Sequence, residues 1–408
     1  MEKAAHQLAG ILLFLSIAAS ALPPYSDFSD EGAGFYGTTP AEDTSDTLSG
    51  VRIGILGPES GSAGRHLRNG AVLAITEANA EGGFRGQRPF SVVMRSDEGP
   101  WGVAAKQVVK LTYEDGVCAI IGSLDGHRAH LAELITAKAW IPYITPAAAD
   151  LSIDYANVPW VFRCMPDDGS QAERLTNYAG DQGLLRAVAI TGGTRESRVG
   201  WHRLQHAAAR SPVQWVLHAE YDPNHPAAVV PGVLRHVDVD PCDAFFVWGY
   251  PDEVRTIVRR LRDGGNWAPV LLPSLCSTPE FAASAVGLGR IVVAAPFDPG
   301  RKDSTYASFS RRYGAAYGTV PSPVAAYSYD AARMLVRAVG EAGADRAGIR
   351  RCLASMTHQG VTGELSFNGL GGNESTPVLM SLVDGQWIRV EELGERARGP
   401  GNINRRPP

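Results

Sequence analysis

The fold is decided by the stretch Val51-Arg52-Ile53-Gly54-Ile55-Leu56-Gly57, an apolar run that ends in glycine. A helix-like stretch follows at 70–79 and ends at Gly82-Gly83. Two further apolar runs each precede a helix-like stretch, 90–94 before 103–114 and 117–122 before 131–139. Apolar strands that alternate with helices are typical of a parallel sheet with crossover helices. The sequence therefore predicts an α/β fold.

The alternation of strands and helices starts again after Arg163. Predicted strands lie at 187–191, 213–220, 244–248 and 269–272, and predicted helices at 171–182 and 252–263. Helices near 306–317 and 324–342 bring no new set of strands, so we expect them to return to the first unit. We predict two doubly wound parallel-sheet lobes joined by a multi-strand hinge. The predicted lobe boundaries are 51–167 plus 297–366 for the first, and 168–296 plus 367–392 for the second.

The N-terminus has the features of a secretory signal peptide. Lys3 precedes the apolar stretch 8–18 and the small-residue triplet Ala19-Ser20-Ala21, which predicts cleavage after about Ala21 and export to the periplasm. A buried N-terminal helix is the alternative. The apolar stretch is shorter than the ~20 residues that span a bilayer, so we expect no membrane insertion. Residues 22–50 and 393–408 are expected to be a disordered leader and tail.

Composition excludes several classes of protein. A net charge of −5 over 408 residues gives no basic surface, so nucleic-acid binding is not expected. Five cysteines are odd in number and few for a secreted disulfide framework. The loop 57–64 lacks the glycine spacing of a dinucleotide site, and no phosphate loop, His-Glu-x-x-His or nucleophile elbow occurs. We therefore expect no enzyme, no catalytic residues, no cofactor and no metal.

Several motifs occur in order along residues 51–392: 53–61, 78–83, 120–122, 141–148, 249–250, 326–331 and 362–367. Together they resemble the leucine/isoleucine/valine-binding family of periplasmic receptors, the substrate-binding components of ATP-driven (ABC) importers. The resemblance implies a type I periplasmic binding protein, monomeric, with a small-molecule solute and a membrane permease as partners. A periplasmic sensor of the same fold that reports to a signalling partner is the alternative, which neighbouring genes would distinguish.

The resemblance also implies a ligand site in the loops that follow the strands, where this chain departs from the family. The family holds the ligand carboxylate with a serine where this chain has Gly126. It holds the ammonium with a threonine and an acidic residue where this chain has Ala149 and Ser274. A buried ammonium needs a carboxylate, so a standard branched-chain amino acid is not the expected cargo.

The remaining positions favour a polar or aromatic solute. Tyr250 matches the family, Ala147 offers backbone groups, and Val199 replaces a tyrosine. Other candidate side chains in these loops are Ser60, Ser62, Arg65, His66, Trp101, Ser123, Asp125, His127 and Cys276. Arg65 could meet an acid and Trp101 could stack on a ring. The alternatives are a solvated Arg65, a Trp101 packed on its own lobe, and a His127 that faces water.

Overall fold

The computed structural model describes residues 50–397 except Gln87, Lys302 and Asp303. The predicted signal peptide, the leader up to residue 49 and residues 398–408 of the predicted tail lie outside this range. Within it, no helix combines the length and the apolar character needed to cross a membrane.

Five parallel strands form the first sheet. They are β1 (Val51–Leu56), β2 (Phe90–Arg95), β3 (Ala119–Gly122), β4 (Tyr143–Thr145) and β5 (Val161–Arg163), in the order β2-β1-β3-β4-β5. The helices between them are α1 (Gly61–Ala80), α2 (Trp101–Val109, continued by a π turn at Lys110–Glu114), α3 (Gly126–Ala139) and α4 (Ser152–Tyr155). The strand β3 is buried at every position because helices cover both faces of the sheet, which explains its unbroken apolar sequence.

A second parallel set follows the first. Its strands are β6 (Arg186–Gly192), β7 (Gln214–Tyr221), β8 (Ala244–Trp248), β9 (Val270–Leu272) and β10 (Ile291–Ala295). Its helices are α5 (Asp168–Asp181), α6 (Arg195–Ala208), α7 (Val230–Val239), α8 (Pro251–Asp263) and α9 (Pro279–Ser284), with short 3-10 turns at Pro226–Val229 and Ser274–Cys276. We call each sheet with its covering helices a lobe.

The chain then returns to the first lobe. It forms α10 (Ser304–Tyr317), α11 (Pro323–Ala342), α12 (Arg346–Ser355) and the short antiparallel pair β11 (His358–Gln359) and β12 (Glu364–Leu365). Phe309, Leu335 and Leu353 share one hydrophobic core with β1 and α1. The two long helices meet backbone to backbone, since a Cβ at Gly70 would lie 2.1 Å from the Ala325 carbonyl oxygen. The helices α10, α11 and α12 thus pack with the first sheet, while the exact lobe boundaries stay a prediction.

An antiparallel hairpin completes the second sheet. β13 (Val378–Val383) pairs with β10 and with β14 (Gln386–Arg389), so the strand order is β14-β13-β10-β9-β8-β6-β7. The predicted two-lobed α/β fold is confirmed. The last helix, α13 (Val390–Ala397), was not predicted and continues past residue 392, where the second lobe was expected to end.

Candidate ligand-binding site

A cavity of about 510 Å³ lies between the lobes, where the loops after the parallel strands meet. In open α/β sheets this is the edge at which ligands bind. The first lobe contributes the start of α1, Leu124, Ala147, Met165 and the start of α11. The second lobe contributes the start of α8, Ser274, Leu275 and α9. Both lobes therefore form its walls.

The start of α1 is held rigidly at the cavity wall. Gly61 adopts φ +75°, a left-handed conformation that favours glycine. Ser60 is the N-cap, but its hydroxyl hydrogen-bonds the Glu98 carboxylate instead of capping the helix. Arg68 donates to the carbonyl oxygens of Pro58 and Glu59. The Ser60 side chain lines the cavity with its hydroxyl already engaged.

Tyr250 stands at the start of α8 and connects two acidic groups. Its backbone N–H donates to Glu253 Oε2 over 3.1 Å, and its hydroxyl donates to Glu196 Oε2 over 3.4 Å. Burial, with the nearby charges of Asp125 and Glu196, raises the pKa of Tyr250. The phenol therefore stays protonated, and with its proton directed to Glu196 its oxygen can still accept a hydrogen bond.

A recess of about 30 Å³ adjoins the cavity and shares Leu124, Ala147, Ser274 and Leu275 with it. We call it the acidic recess, because its wall includes the carboxylates Asp125, Asp150, Asp168 and Glu196. These side chains come from both lobes. The recess also contains Ala149 and Ser274, the two positions where the family would bind an ammonium.

Asp150 is the best neutralised of the four carboxylates. Arg195, from the second lobe, donates through Nε and Nη2 to its Oδ2 over 3.0 and 2.9 Å. Burial alone would raise the pKa of Asp150, but hydrogen bonds from His130 and Ser152 hold it well below its ordinary value. Burial alone would lower the pKa of His130, but the hydrogen bonds that it donates to Asp150 and Glu133 outweigh burial and raise its pKa to about 9. His130 is therefore charged at neutral pH.

The other carboxylates of the recess are less well compensated. Asp125 caps α3 by accepting the Arg128 N–H over 2.9 Å, and burial together with the charge of Glu196 raises its pKa to about 7. Burial and the charge of Asp150 raise the pKa of Asp168 to about 7, even though Arg203 lies 3.4 Å away. The recess thus carries excess negative charge above pH 7.

Contacts between the lobes lie on two opposite sides of the cavity. At the acidic recess, Arg195 bonds Asp150, and the backbone N–H of His127 donates to Glu196 Oε1 over 3.2 Å. On the opposite side His66, only 4% exposed, places Nε2 3.1 Å from Glu280 Oε1 of α9. The hydrogen bond from His66 lowers the pKa of Glu280. The lobes therefore contact each other on both sides of the cavity.

The sequence profile of the periplasmic binding protein family matches residues 50–384. The chain belongs to this family. A Leu/Ile/Val-binding protein homolog 8 from Brucella abortus (strain 2308) is 30% identical over 145 residues, 35% of this chain and 34% of the relative. The match thus spans about a third of that relative's length.

Solved structures of solute-binding proteins share the fold. LivJ from Streptococcus pneumoniae, in complex with isoleucine, superposes with a TM-score of 0.74 at 22% identity, over 83% of this chain and 97% of its own. A solute binding protein from R. palustris, in complex with benzoate, has a TM-score of 0.73 at 19% identity, over 84% and 95%. The predicted resemblance is confirmed, and the family consists of binding proteins rather than enzymes.

Nine of the predicted site residues of this periplasmic binding protein line the cleft, among them His66. The main cavity contains Ser60, Ser62, Ala147, Tyr250 and Ser274. The acidic recess contains Asp125, Gly126 and Ala149, along with Ala147 and Ser274 again. The serine that the family resemblance implies at position 126 would not fit unless Asp150 moved, because a Cβ there would lie 2.5 Å from the Cβ of Asp150.

The other predicted residues lie outside both spaces. The Cys276 thiol is buried in the core of the second lobe, which raises its pKa. Ser123 is fully buried behind the recess, and its hydroxyl donates to Asp97 Oδ2 over 3.2 Å. Trp101 is 55% exposed at the start of α2 and lines neither space, so its stacking on a ligand ring stays a prediction.

Three more predicted residues sit on helix surfaces near the cleft. Arg65 and His127 are exposed in the first turns of α1 and α3, and Val199 is half-buried on α6. None of the three lines either space. His66, which the sequence also suggested, does line the main cavity.

Sequence reasoning missed most of the acidic recess. Asp150, Asp168 and Glu196 were not among the candidates, nor were Glu280 and Ser322 of the main cavity. Asp150 directly follows Ala149 in the loop after β4, and Glu196 begins the helix after β6. Their positions beyond strand ends were the signal that could have found them.

Proposed function

We propose that this protein is the periplasmic substrate-binding component of an ATP-driven importer, which captures a small polar or aromatic solute and presents it to a membrane permease. The cavity of about 510 Å³ with walls from both lobes carries the proposal. A solute that contacts both walls stabilises the closed state, and closure is the signal that a permease can recognise. The family match over 50–384 supports this role.

The cavity lining supports a compact solute with an apolar body. Leu124, Met165, Phe281, Pro323 and Val324 provide apolar surface. Polar contacts come from a few groups, among them the Tyr250 hydroxyl and the side chains of Ser62 and Ser322. An apolar space with a few convergent polar groups is the usual form of a small-molecule site. Relatives of the same fold in complex with benzoate and with 3,4-dihydroxy benzoic acid are compatible with this chemistry.

We further propose that leucine, isoleucine and valine bind poorly, for a reason that differs from the one expected from the sequence. An ammonium in the acidic recess would not lack a carboxylate, since Asp125 and Glu196 line the same space as Ser274. An α-amino acid, however, carries its carboxylate on the same carbon as its ammonium. That carboxylate would lie against the acidic side chains and be repelled.

The test is a thermal-shift screen of the mature protein, refolded to remove any carried-over solute, against amino acids, amides, aromatic acids and polyols. A solute at a hundred times its Kd stabilises the native state by about 2.7 kcal/mol, which corresponds to a rise of several degrees in Tm. Calorimetry then measures the Kd of each hit. Ser274→Trp, which fills the cavity, should abolish the shift, whereas Trp101→Ala, outside the cavity, should retain it.

Two results would contradict the proposal. A screen in which no class of solute changes the Tm would remove the binding function itself. Micromolar leucine affinity by calorimetry would leave the binding function intact but refute the proposed selectivity.

A further inference from the structure

Ser322 borders the cavity, and its hydroxyl has no hydrogen-bond partner in the described part of the chain. The residue is 2% exposed. Ser322 is the N-cap of α11, yet its side chain does not cap the helix, although serine at this position usually does. A buried hydroxyl without a partner is unfavourable, so a ligand group that satisfies it would be stabilised.

The surroundings of Ser322 favour a negatively charged ligand group. The 20-residue helix α11 begins here with Pro323, and the first turn of the 20-residue helix α1 lines the same cavity. The N-terminus of a helix carries partial positive charge and unpaired N–H groups, which attract carboxylates and phosphates. The terminus of α1 already holds the Glu98 carboxylate, which accepts the N–H groups of Glu59 and Ser60, so the start of α11 is the terminus that a ligand anion can approach.

Two acidic side chains of this cavity each contact a basic side chain. Glu280 lies 3.1 Å from His66, and Asp252 accepts from Arg255 over 2.9 Å. Each carboxylate therefore has a basic side chain within hydrogen-bond distance and does not need one from the ligand. A carboxylate ligand thus meets less unpaired acid here than in the recess, because Arg255 pairs with Asp252 and His66 is hydrogen-bonded to Glu280.

The acidic recess at the far side of the cleft has the opposite character. Asp125 and Glu196 line it, and within the described residues neither forms an ion pair with a basic side chain. A carboxylate would be repelled there, whereas an N–H or O–H group would find acceptors. The two ends of the cleft therefore select different ends of one solute.

We propose that the solute carries a carboxylate that docks at the start of α11, where Ser322 donates a hydrogen bond to it, and carries a hydrogen-bond donor at its other end, directed toward Asp125 and Glu196. This inference rests on the proposed function. The body of the solute lies against Phe281, Pro323 and Val324. The carboxylate would thus point away from Gly126, the position at which the family resemblance implies that it binds.

The test compares related probes by calorimetry: 4-aminobenzoate, its neutral analogue 4-aminobenzamide, and 2-aminobenzoate, in which both groups lie on one side of the ring. We expect 4-aminobenzoate to bind at least tenfold more tightly than either of the others. Ser322→Ala should weaken 4-aminobenzoate binding about tenfold, the value of a charge-assisted hydrogen bond, and change 4-aminobenzamide binding less than threefold. Ser322→Thr keeps the hydroxyl and should restore most of the affinity.

Ser328→Ala is the matched control. Ser328 lies in the same helix, is fully buried and also has an unpartnered hydroxyl, but it does not line the cavity. Its loss should leave all affinities unchanged, and the Tm of each variant verifies folding. Equal effects of Ser322→Ala and Ser328→Ala would overturn the proposal, as would a preference for the amide or the 2-amino isomer. If the aminobenzoates fail and a neutral solute of the screen binds, the carboxylate subsite is wrong and the binding function stands. If no solute binds, the binding function itself is wrong.

Discussion

The two ends of the cleft are both rich in charged side chains, yet they differ in how those charges are paired. At the end formed by α1, α9 and α11, Glu280 and Asp252 each have a basic partner close by. In the acidic recess, Asp150 has Arg195 and His130, while Asp125 and Glu196 form only hydrogen bonds. The comparison shows that the pairing of charges, more than the residue types, determines which end can accept a ligand anion.

The largest expected effect comes from placing a side chain in the recess. Gly126→Ser introduces the serine that the family resemblance implies, but its Cβ would lie 2.5 Å from the Asp150 Cβ and 2.6 Å from Asp150 Oδ2. We expect a loss of about 2–3 kcal/mol in the free energy of unfolding and no gain of leucine binding. Urea unfolding measures the first and calorimetry the second.

Gly193→Ser provides the control for this change, because a Cβ at Gly193 meets nothing within 4 Å. It should alter stability by less than about 0.5 kcal/mol. Equal stability of the two serine variants would show that the recess can widen, and would remove the steric reason for glycine at position 126.

A smaller effect should separate the two contacts between the lobes. Arg195→Gln removes the partner of Asp150, whose side chain is 5% exposed, whereas Glu280→Gln alters a side chain that is 49% exposed. Partly buried ion pairs are worth more than exposed ones. We therefore expect solute affinity to fall about tenfold for Arg195→Gln and at most threefold for Glu280→Gln, by calorimetry with a hit from the screen.

Arg333→Gln should leave the affinity unchanged, since Arg333 pairs with Glu81 inside the first lobe. An equal loss in all three variants would mean that the effect comes from general destabilisation. In that case the contacts between the lobes would not control closure.

The smallest effect concerns pH. Burial raises the pKa of Asp125 from 3.8 to about 7, so between these values the folded protein holds a proton that the unfolded chain has released. This contribution to stability falls as pH rises from about 4 to 7 and is lost above 7. Asp125→Asn keeps an oxygen to cap α3 and removes the titration. At pH 8 the variant should be more stable by about 1 kcal/mol, a value reduced for partial exposure.

Urea unfolding at pH 4 and at pH 8 measures this difference. Because Asp97 and Asp168 also have raised pKa values, only the difference between wild type and variant at each pH reports on Asp125. A difference that does not change with pH would contradict an uncompensated carboxylate in the recess.

Sequence patterns predicted the architecture because burial leaves a local signature. The runs that became β1, β3 and β8 are apolar at nearly every position, since helices cover both faces of each sheet. The pattern was less informative for β5 and α4, which are only three and four residues long, too short for a period to stand out. The helix α13 was not predicted because its segment is rich in charged residues.

The site was predicted less completely because its chemistry depends on contacts between distant segments. Tyr250 and Ala147 could be placed from strand ends and from the family resemblance. The partner of Asp150, however, is Arg195 of the other lobe, and no spacing rule relates those two positions. Ser322 borders the cavity only because α11 packs there, which its local sequence does not indicate. Cys276 follows a strand end as predicted, but the turn after β9 buries its thiol away from the cavity.

The backbone contact between Gly70 and Ala325 has a consequence for how the chain acquires its structure. The core around β1 and α1 is completed by α10, α11 and α12. The apolar side chains of β1 and α1 are therefore fully covered only after residues beyond 350 have been synthesised. The strands β6 to β10 come from one continuous stretch and can pair sooner. Contacts between remote segments form slowly, and domains generally fold as units. Both lobes should therefore finish folding only when most of the chain is available, because α12 completes the first core and the hairpin of β13 and β14 completes the second sheet.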